Sequence, residues 1–148
     1  MAVCHNIRIK NCRLLTDEDF RGKNTSKREY FNGFKVALLI DEHVNPVELS
    51  MYAGAYSEQS ALHRMDFDLP KGSIVWQDSG FTDYEWEDFY MENEGIEFAT
   101  QRKKNSLRGD SFIDEIAKKY NRKTVETAYS VITSRLPKRI HTVTIEGF

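Results

Sequence analysis

Cysteine and proline are scarce in this 148-residue chain, with two of the first and three of the second. Cys4 and Cys12 are too few for a disulfide framework and read as free thiols. With His5 between them they do not have the spacing of a zinc site, and His43, His63 and His141 are scattered. Repeats and low-complexity tracts are absent, and three prolines mark no clear linker, so one domain over residues 1–148 is expected. That length is enough for one hydrophobic core. No apolar run approaches the roughly 18 residues a membrane span needs. Met1-Ala2-Val3-Cys4-His5-Asn6 lacks the basic start and apolar stretch of a signal peptide. The expected compartment is cytoplasmic, with no membrane partner.

What is present is an ordinary globular composition, 40% hydrophobic, 30% charged and 12% aromatic. The net charge of −2 conceals an uneven distribution: +4 over residues 1–40, −12 over 41–100 and +7 over 101–140. An acidic middle beside a basic end is what metal-binding carboxylates close to a nucleic-acid surface would produce. Two solvated faces of opposite sign are the simpler reading of charge alone, which raises the question without settling it.

Residues 5–10 alternate weakly like a strand, and 17–24 read as a polar loop. Residues 34–40 form a mostly apolar strand, and Asn45-Pro46 turns the chain into a partner strand over 47–53. Ser57 is a candidate N-cap for a helix from 58 to about 66. A short apolar strand at 73–77 follows the Pro70-Lys71-Gly72 turn and ends at Asp78. Thr82 and Glu85 have the spacing of a capping box, opening a helix to about 94 with Trp86, Phe89 and Tyr90 as its apolar stripe. Gly95 suits the position just past that helix, and 96–100 reads as the next strand. After a basic loop at 101–109, helical periodicity resumes at Phe112, Ile113, Ile116, Ala117 and Tyr120. It continues through Val125, Tyr129, Ile132 and Leu136 until Pro137 stops it. The order is α/β with a hairpin at its start.

Two carboxylates stand out. Asp78 ends a strand before a small-residue turn, and in open α/β sheets ligands bind beyond the carboxyl ends of strands. The competing reading is a turn-forming Asp before Ser-Gly. Glu126 lies on the last helix four residues after Arg122, near the edge of the apolar stripe. A surface ion pair is the alternative there. Together they suit two-metal phosphodiester chemistry, which draws carboxylates from separate elements around cations roughly 3.5–4 Å apart. Asp and Glu oxygens suit Mg²⁺. Arg102, Lys103, Lys104 and Arg108 in the loop, with Arg122 and Lys123 on the helix, are candidate phosphate contacts. A solvated loop competes with that assignment.

The stretch Trp76-Gln77-Asp78-Ser79-Gly80-Phe81-Thr82-Asp83-Tyr84 resembles the second-Asp block of DDE transposases of bacterial insertion sequences. Arg122-Lys123-Thr124-Val125-Glu126-Thr127-Ala128-Tyr129 resembles their Glu block. Between them, Gly95-Ile96-Glu97 and Arg102-Lys103-Lys104-Asn105 resemble the strand and basic loop these enzymes carry. Upstream, Lys27-Arg28-Glu29-Tyr30-Phe31-Asn32-Gly33-Phe34-Lys35-Val36 is similar to the stretch that opens their second strand. The resemblance implies a ribonuclease-H-like mixed sheet with flanking helices. It implies Mg²⁺ or Mn²⁺ as cofactor, Asp78 and Glu126 as catalytic metal ligands, and cleavage and rejoining of DNA at transposon ends. Partners would be DNA and other transposase subunits.

The same resemblance implies an incomplete catalytic domain. The family's first catalytic Asp, on its first central strand, precedes the segment that Ala2 to Arg8 resembles, so the third carboxylate is expected to be absent. Asp17 and Asp19 fall in a polar stretch, and Asp41 reads as part of a hairpin connection. Residues 145–148 look like a stop inside a segment that continues in the family. The expectation is a truncated transposase domain, inactive alone. The alternative is a non-catalytic fragment that binds DNA or a transposase subunit.

Overall fold

The computed structural model describes residues 2–6, 14–24, 28–135, 139–140 and 144. Its elements are β1 (Ala2–Asn6), β2 (Arg21–Asn24), β3 (Glu29–Ile40), β4 (Pro46–Ala53), α1 (Glu58–Leu62), β5 (Ile74–Gln77), α2 (Tyr84–Asn93), β6 (Glu97–Thr100), α3 (Phe112–Arg135) and β7 (Arg139–Ile140). The architecture is mixed α/β. Two compact units divide it, one of residues 1–65 with 129–148, the other of residues 66–128. No helix among the described residues is long and apolar enough to cross a membrane.

The first unit is built on β3, whose 12 residues serve three neighbours. β2 pairs with it antiparallel from Arg21↔Asn32 to Asn24↔Glu29, and β4 from Phe34↔Ala53 to Ile40↔Pro46. β1 also pairs antiparallel with β3, and β7 runs parallel to β1 through His5↔Arg139 and Asn6↔Ile140. The β3–β4 hairpin appears where the sequence puts it. Asp41 closes its connection: Oδ1 accepts from the amides of His43 (2.9 Å) and Asn45 (2.8 Å), and Oδ2 from Asn45 Nδ2 (2.9 Å). Those bonds, with Asn45 contributing most, hold the Asp41 carboxyl below its ordinary value. The loop reading of Asp41 stands.

Two expectations upstream are corrected. β3 begins at Glu29, five residues before the apolar run at 34, and 17–24 forms a 3₁₀ turn and β2 in place of a loop. Polar residues pair here because the backbone ladder supplies the hydrogen bonds whatever the side chains are. Rings supply the packing: Phe31 is buried against Gly22 and Gly54, where a Cβ on Gly54 would stand 3.0 Å from it, and Phe20 stands edge-on to Phe34 at 5.3 Å. Residues 7–10, Cys12, Lys27, Leu136, Pro137, His141 and 145–148 lie outside the described residues.

Ser57 caps α1 as expected, its hydroxyl accepting from Ser60 N (3.2 Å), but the regular helix stops at Leu62. Ala61, Leu62, Met65, Val36, Ala37 and Tyr52 form the core of this unit with Phe31.

The second unit is a β-α-β crossover. β5 and β6 are parallel, in register from Ile74↔Glu97 to Gln77↔Thr100, with α2 between them in sequence. Its core is aromatic: the Phe67 ring stands edge-on to Trp86 (5.3 Å), Tyr90 (5.8 Å) and Phe98 (5.2 Å). Such edge-to-face pairs add to simple area burial. Trp86 and Tyr90 of the expected stripe join this cluster, whereas Phe89 is largely exposed. The α2 cap falls one residue later than the sequence suggests: Asp83, not Thr82, accepts from Trp86 N (3.2 Å). Gly95 leaves the helix at φ +66° as anticipated.

α3 is one continuous helix, opened by a reciprocal cap in which Ser111 N and Oγ donate to Asp114 Oδ2 (3.1 and 2.6 Å) and Asp114 N to Ser111 Oγ (3.2 Å). Its later register packs as expected, with Ala128 buried and Val125, Tyr129 and Ile132 half-buried. The earlier register does not. Phe112, Ile113, Ile116 and Tyr120 share a stripe, yet all four are exposed, Phe112 by 77%. Periodicity places residues on one face; it does not supply a surface to cover that face.

Candidate carboxylates and a braced basic loop

Asp78 stands where the strand reading put it, directly after β5, with an exposed side chain. Its Oδ1 accepts from Ser79 N (2.7 Å), capping a 3₁₀ turn over Ser79–Phe81, and its carbonyl accepts from Phe81 N (3.0 Å). Asp78 is therefore both a strand-end carboxylate and a turn former. Glu126 belongs to the same unit, on α3, where Oε1 accepts from Arg122 Nε (3.0 Å). Both partners are more than half exposed, so this (i, i+4) pair contributes little to stability. No hydrogen bond joins Asp78 to Glu126 among the described residues.

The basic loop is not a solvated tether. Arg102 points inward, and its guanidinium grips the Glu87 carboxylate of α2 with two donors, Nη1 to Oε1 (3.0 Å) and Nη2 to Oε2. Both side chains are nearly inaccessible, 9% exposed for Arg102 and 5% for Glu87. A buried bidentate pair is strong where its remaining hydrogen-bonding capacity is met, and here Thr100 Oγ1 also donates to Glu87 Oε1 (2.7 Å). Gln77 Nε2 in turn donates to Thr100 Oγ1 (2.6 Å).

A second buried pair lies alongside. Lys118 Nζ, on α3, donates to Asp110 Oδ1 (2.7 Å) and to the Thr100 carbonyl (2.7 Å), and Arg102 N donates to Asp110 Oδ2 (3.2 Å). At the loop's outer side, Arg108 bonds both oxygens of Asp88 (2.7 and 2.6 Å). This contact lowers the Asp88 pKa from its ordinary value. Tyr84 is the hub: Arg102 and Arg108 stack on its ring at 4.9 and 4.8 Å, and its hydroxyl accepts from Leu107 N (3.2 Å). What remains at the loop tip is Lys103 and Lys104, both exposed, and Leu107, 90% exposed.

Of the six cations singled out from the sequence, Arg102 is buried against Glu87, Arg108 is bound to Asp88 and Arg122 to Glu126. Lys103, Lys104 and Lys123 are exposed. Glu87, Thr100, Gln77 and Asp110 were not singled out. One signal was present: strand alternation puts Thr100 and Arg102 on the same side of the chain leaving β6, so a buried Thr100 predicts an inward Arg102. Nothing in the sequence names Glu87, 15 residues away, as its partner.

Asp and Glu oxygens are the donor type Mg²⁺ takes. Among the described residues, however, no group of three or more His, Cys, Asp or Glu side chains could hold a metal ion. Asp78 and Glu126 alone do not complete such a site.

No curated protein and no solved structure shows a significant match to this sequence. A family described as "Transposase DDE domain" matches residues 1–141. With nearly the whole sequence matched, the chain belongs to the transposase DDE domain family.

Proposed function

We propose that the chain is a DDE catalytic domain of ribonuclease-H-like fold, from an enzyme that cuts and rejoins DNA at insertion-sequence ends. The observation that carries this is the family match over residues 1–141. The mixed α/β architecture agrees with it, as does a carboxylate at the carboxyl end of β5. Asp78 and Glu126 are the carboxylates assigned to catalysis. Mg²⁺ or Mn²⁺, when bound by a complete set of ligands, would supply charge neutralisation at the phosphodiester. Two carboxylates fall short of that set, and Asp78 with Glu126 alone is not expected to cleave DNA.

The part in DNA contact is the loop tip. Lys103 and Lys104 project from a segment held by the Arg102–Glu87 and Arg108–Asp88 pairs, so phosphate contacts there need little ordering. Lys123 adds an exposed cation on α3. Arg102 is proposed as a brace for the loop, not as a phosphate ligand; Arg108 spends Nη1 and Nη2 on Asp88, and Arg122 spends Nε on Glu126. Lysines carry no base code without a groove-reading element. Binding by this chain is therefore sequence-tolerant, with dissociation constants of about 10⁻⁴–10⁻⁶ M at physiological salt.

Anisotropy titrations at several salt concentrations, with a random duplex and a transposon-end duplex, test the binding. Joint replacement of Lys103 and Lys104 by Ala should weaken binding to both alike and flatten the salt dependence. Tight, salt-insensitive preference for the end sequence would overturn the binding reading. For the carboxylates, Mn²⁺ should broaden the NMR signals of Asp78 and Glu126 together. Broadening of one without the other would remove the catalytic pairing, and Mg²⁺-dependent cleavage by the purified chain, lost in Asp78→Ala, would show that two carboxylates suffice.

A further inference from the structure

We propose that Thr100 and Gln77 are positioning residues for Asp78, acting through a one-way hydrogen-bond relay anchored on the buried Glu87–Arg102 pair. This rests on the assignment of Asp78 as a working carboxylate. The relay has a direction because of what each group can donate. A carboxylate facing two guanidinium donors only accepts, so the single proton of the Thr100 hydroxyl goes to Glu87 Oε1 (2.7 Å). The hydroxyl oxygen is then left to accept, and it accepts from Gln77 Nε2 (2.6 Å). That contact decides which way the Gln77 amide faces: its nitrogen, not its oxygen, lies toward Thr100. The same nitrogen reaches Phe81 O (3.4 Å), four residues on, across the turn that carries Asp78.

The turn 78–81 is thereby tied at both ends. Asp78 and Phe81 are joined through Phe81 N to Asp78 O, and Gln77 holds the far end to the floor of the unit. Thr82 Oγ1 adds a brace to Ser79 O (2.9 Å). Thr100 is fully buried and Glu87 nearly so, which makes the anchor rigid, whereas Asp78 is exposed. An exposed carboxylate on a small-residue turn would otherwise sample many orientations. The relay from the buried ion pair fixes the turn on which Asp78 sits, where Ser79 N holds its Oδ1, and the same ion pair holds the lysine-tipped loop. One buried charge pair thus sets the carboxylate and the basic loop together.

The test uses the 148-residue chain and amide hydrogen exchange read by NMR. Thr100→Val keeps the shape of the side chain and removes both of its hydrogen bonds. Exchange at Phe81 N–H should quicken about tenfold, the loss of roughly one hydrogen bond's protection, and the Ser79 amide resonance should shift as its bond to Asp78 loosens. Glu94 N–H, bonded to Tyr90 O in α2, and Gly54 N–H, bonded to Gly33 O in the other unit, should be unchanged. Thr100→Ser, which retains the hydroxyl, should restore the native values. Should Thr100→Val lower protection everywhere, Gln77→Leu serves instead; it leaves the Thr100–Glu87–Arg102 anchor in place and should affect only the turn. Native exchange at Phe81 in both Thr100→Val and Gln77→Leu, or failure of Thr100→Ser to restore it, would overturn the relay. In parallel, the Mn²⁺ concentration that half-broadens the Asp78 signal should rise about tenfold in Gln77→Leu, in step with the exchange change. If Mn²⁺ leaves Asp78 untouched in the native chain, the carboxylate assignment fails while the exchange data still decide the relay.

Discussion

Removing the Glu87 carboxylate should be the most damaging single change in the second unit. In Glu87→Ala the Arg102 guanidinium, 9% exposed, keeps its charge and loses both carboxylate bonds, and Thr100 Oγ1 loses its acceptor. Breaking a buried pair from one side costs about 3–5 kcal/mol, because the surviving charge is left desolvated and uncompensated. Arg102→Ala should cost a similar amount. Removing both charges in Glu87→Ala with Arg102→Ala takes away the reason for the penalty, so the double variant should be more stable than the sum of its single effects predicts by about 2 kcal/mol. The exposed Arg122–Glu126 pair serves as the internal contrast and should yield under about 1 kcal/mol. Urea unfolding followed by tryptophan fluorescence is the suitable assay. The chain's two tryptophans, Trp76 and Trp86, both lie within residues 66–128, so the signal reports the unit that holds the pair. A Glu87→Ala cost below about 1 kcal/mol, or single and double variants that add within about 0.5 kcal/mol, would refute the buried-pair reasoning.

Two further outcomes follow from single groups. Tyr52 is buried with a hydroxyl that has no hydrogen-bond partner among the described residues, and burial drives its pKa well above the ordinary tyrosine value. Tyr52→Phe should therefore stabilise the protein, by up to about 1–3 kcal/mol, raising the thermal midpoint; a loss of stability would show that the hydroxyl is satisfied. The Asp114 carboxyl, held below 3.8 chiefly by the Ser111 hydroxyl, contributes to stability above its unfolded value, and that contribution is lost as pH falls through the lower folded value. An NMR titration midpoint for Asp114 at or above 3.8 would contradict this.

Much of the local structure was determined by the sequence alone, wherever the cause was local. Ser57 accepts from an amide three residues on, and Gly95 takes a positive φ that suits a residue without Cβ. The β5–α2–β6 order follows from apolar runs separated by a capped helix, and Asp78 comes out at a strand end by the same logic. The blocks around Asp78 and Glu126 carried the family resemblance, and the match over residues 1–141 agrees with it. Even the Ser111–Asp114 cap was written in its spacing, although it was not among the sequence expectations.

Tertiary structure alone decided which charges face solvent. Arg102 and Lys103 are neighbours in a run of cations, yet one is sealed against Glu87 and the other is exposed. The difference is made by a carboxylate 15 residues upstream, brought within hydrogen-bonding distance by the crossover of α2 between parallel strands. The same holds for the apolar stripes of α3. Ala128 is buried, whereas Phe112, Ile113, Ile116 and Tyr120 stand in solvent with an equally regular spacing. Spacing along a chain sets which side chains share a face. Whether that face is covered, or a charge is paired, depends on residues remote in sequence, and hydrophobic and electrostatic energies are set only when those residues arrive.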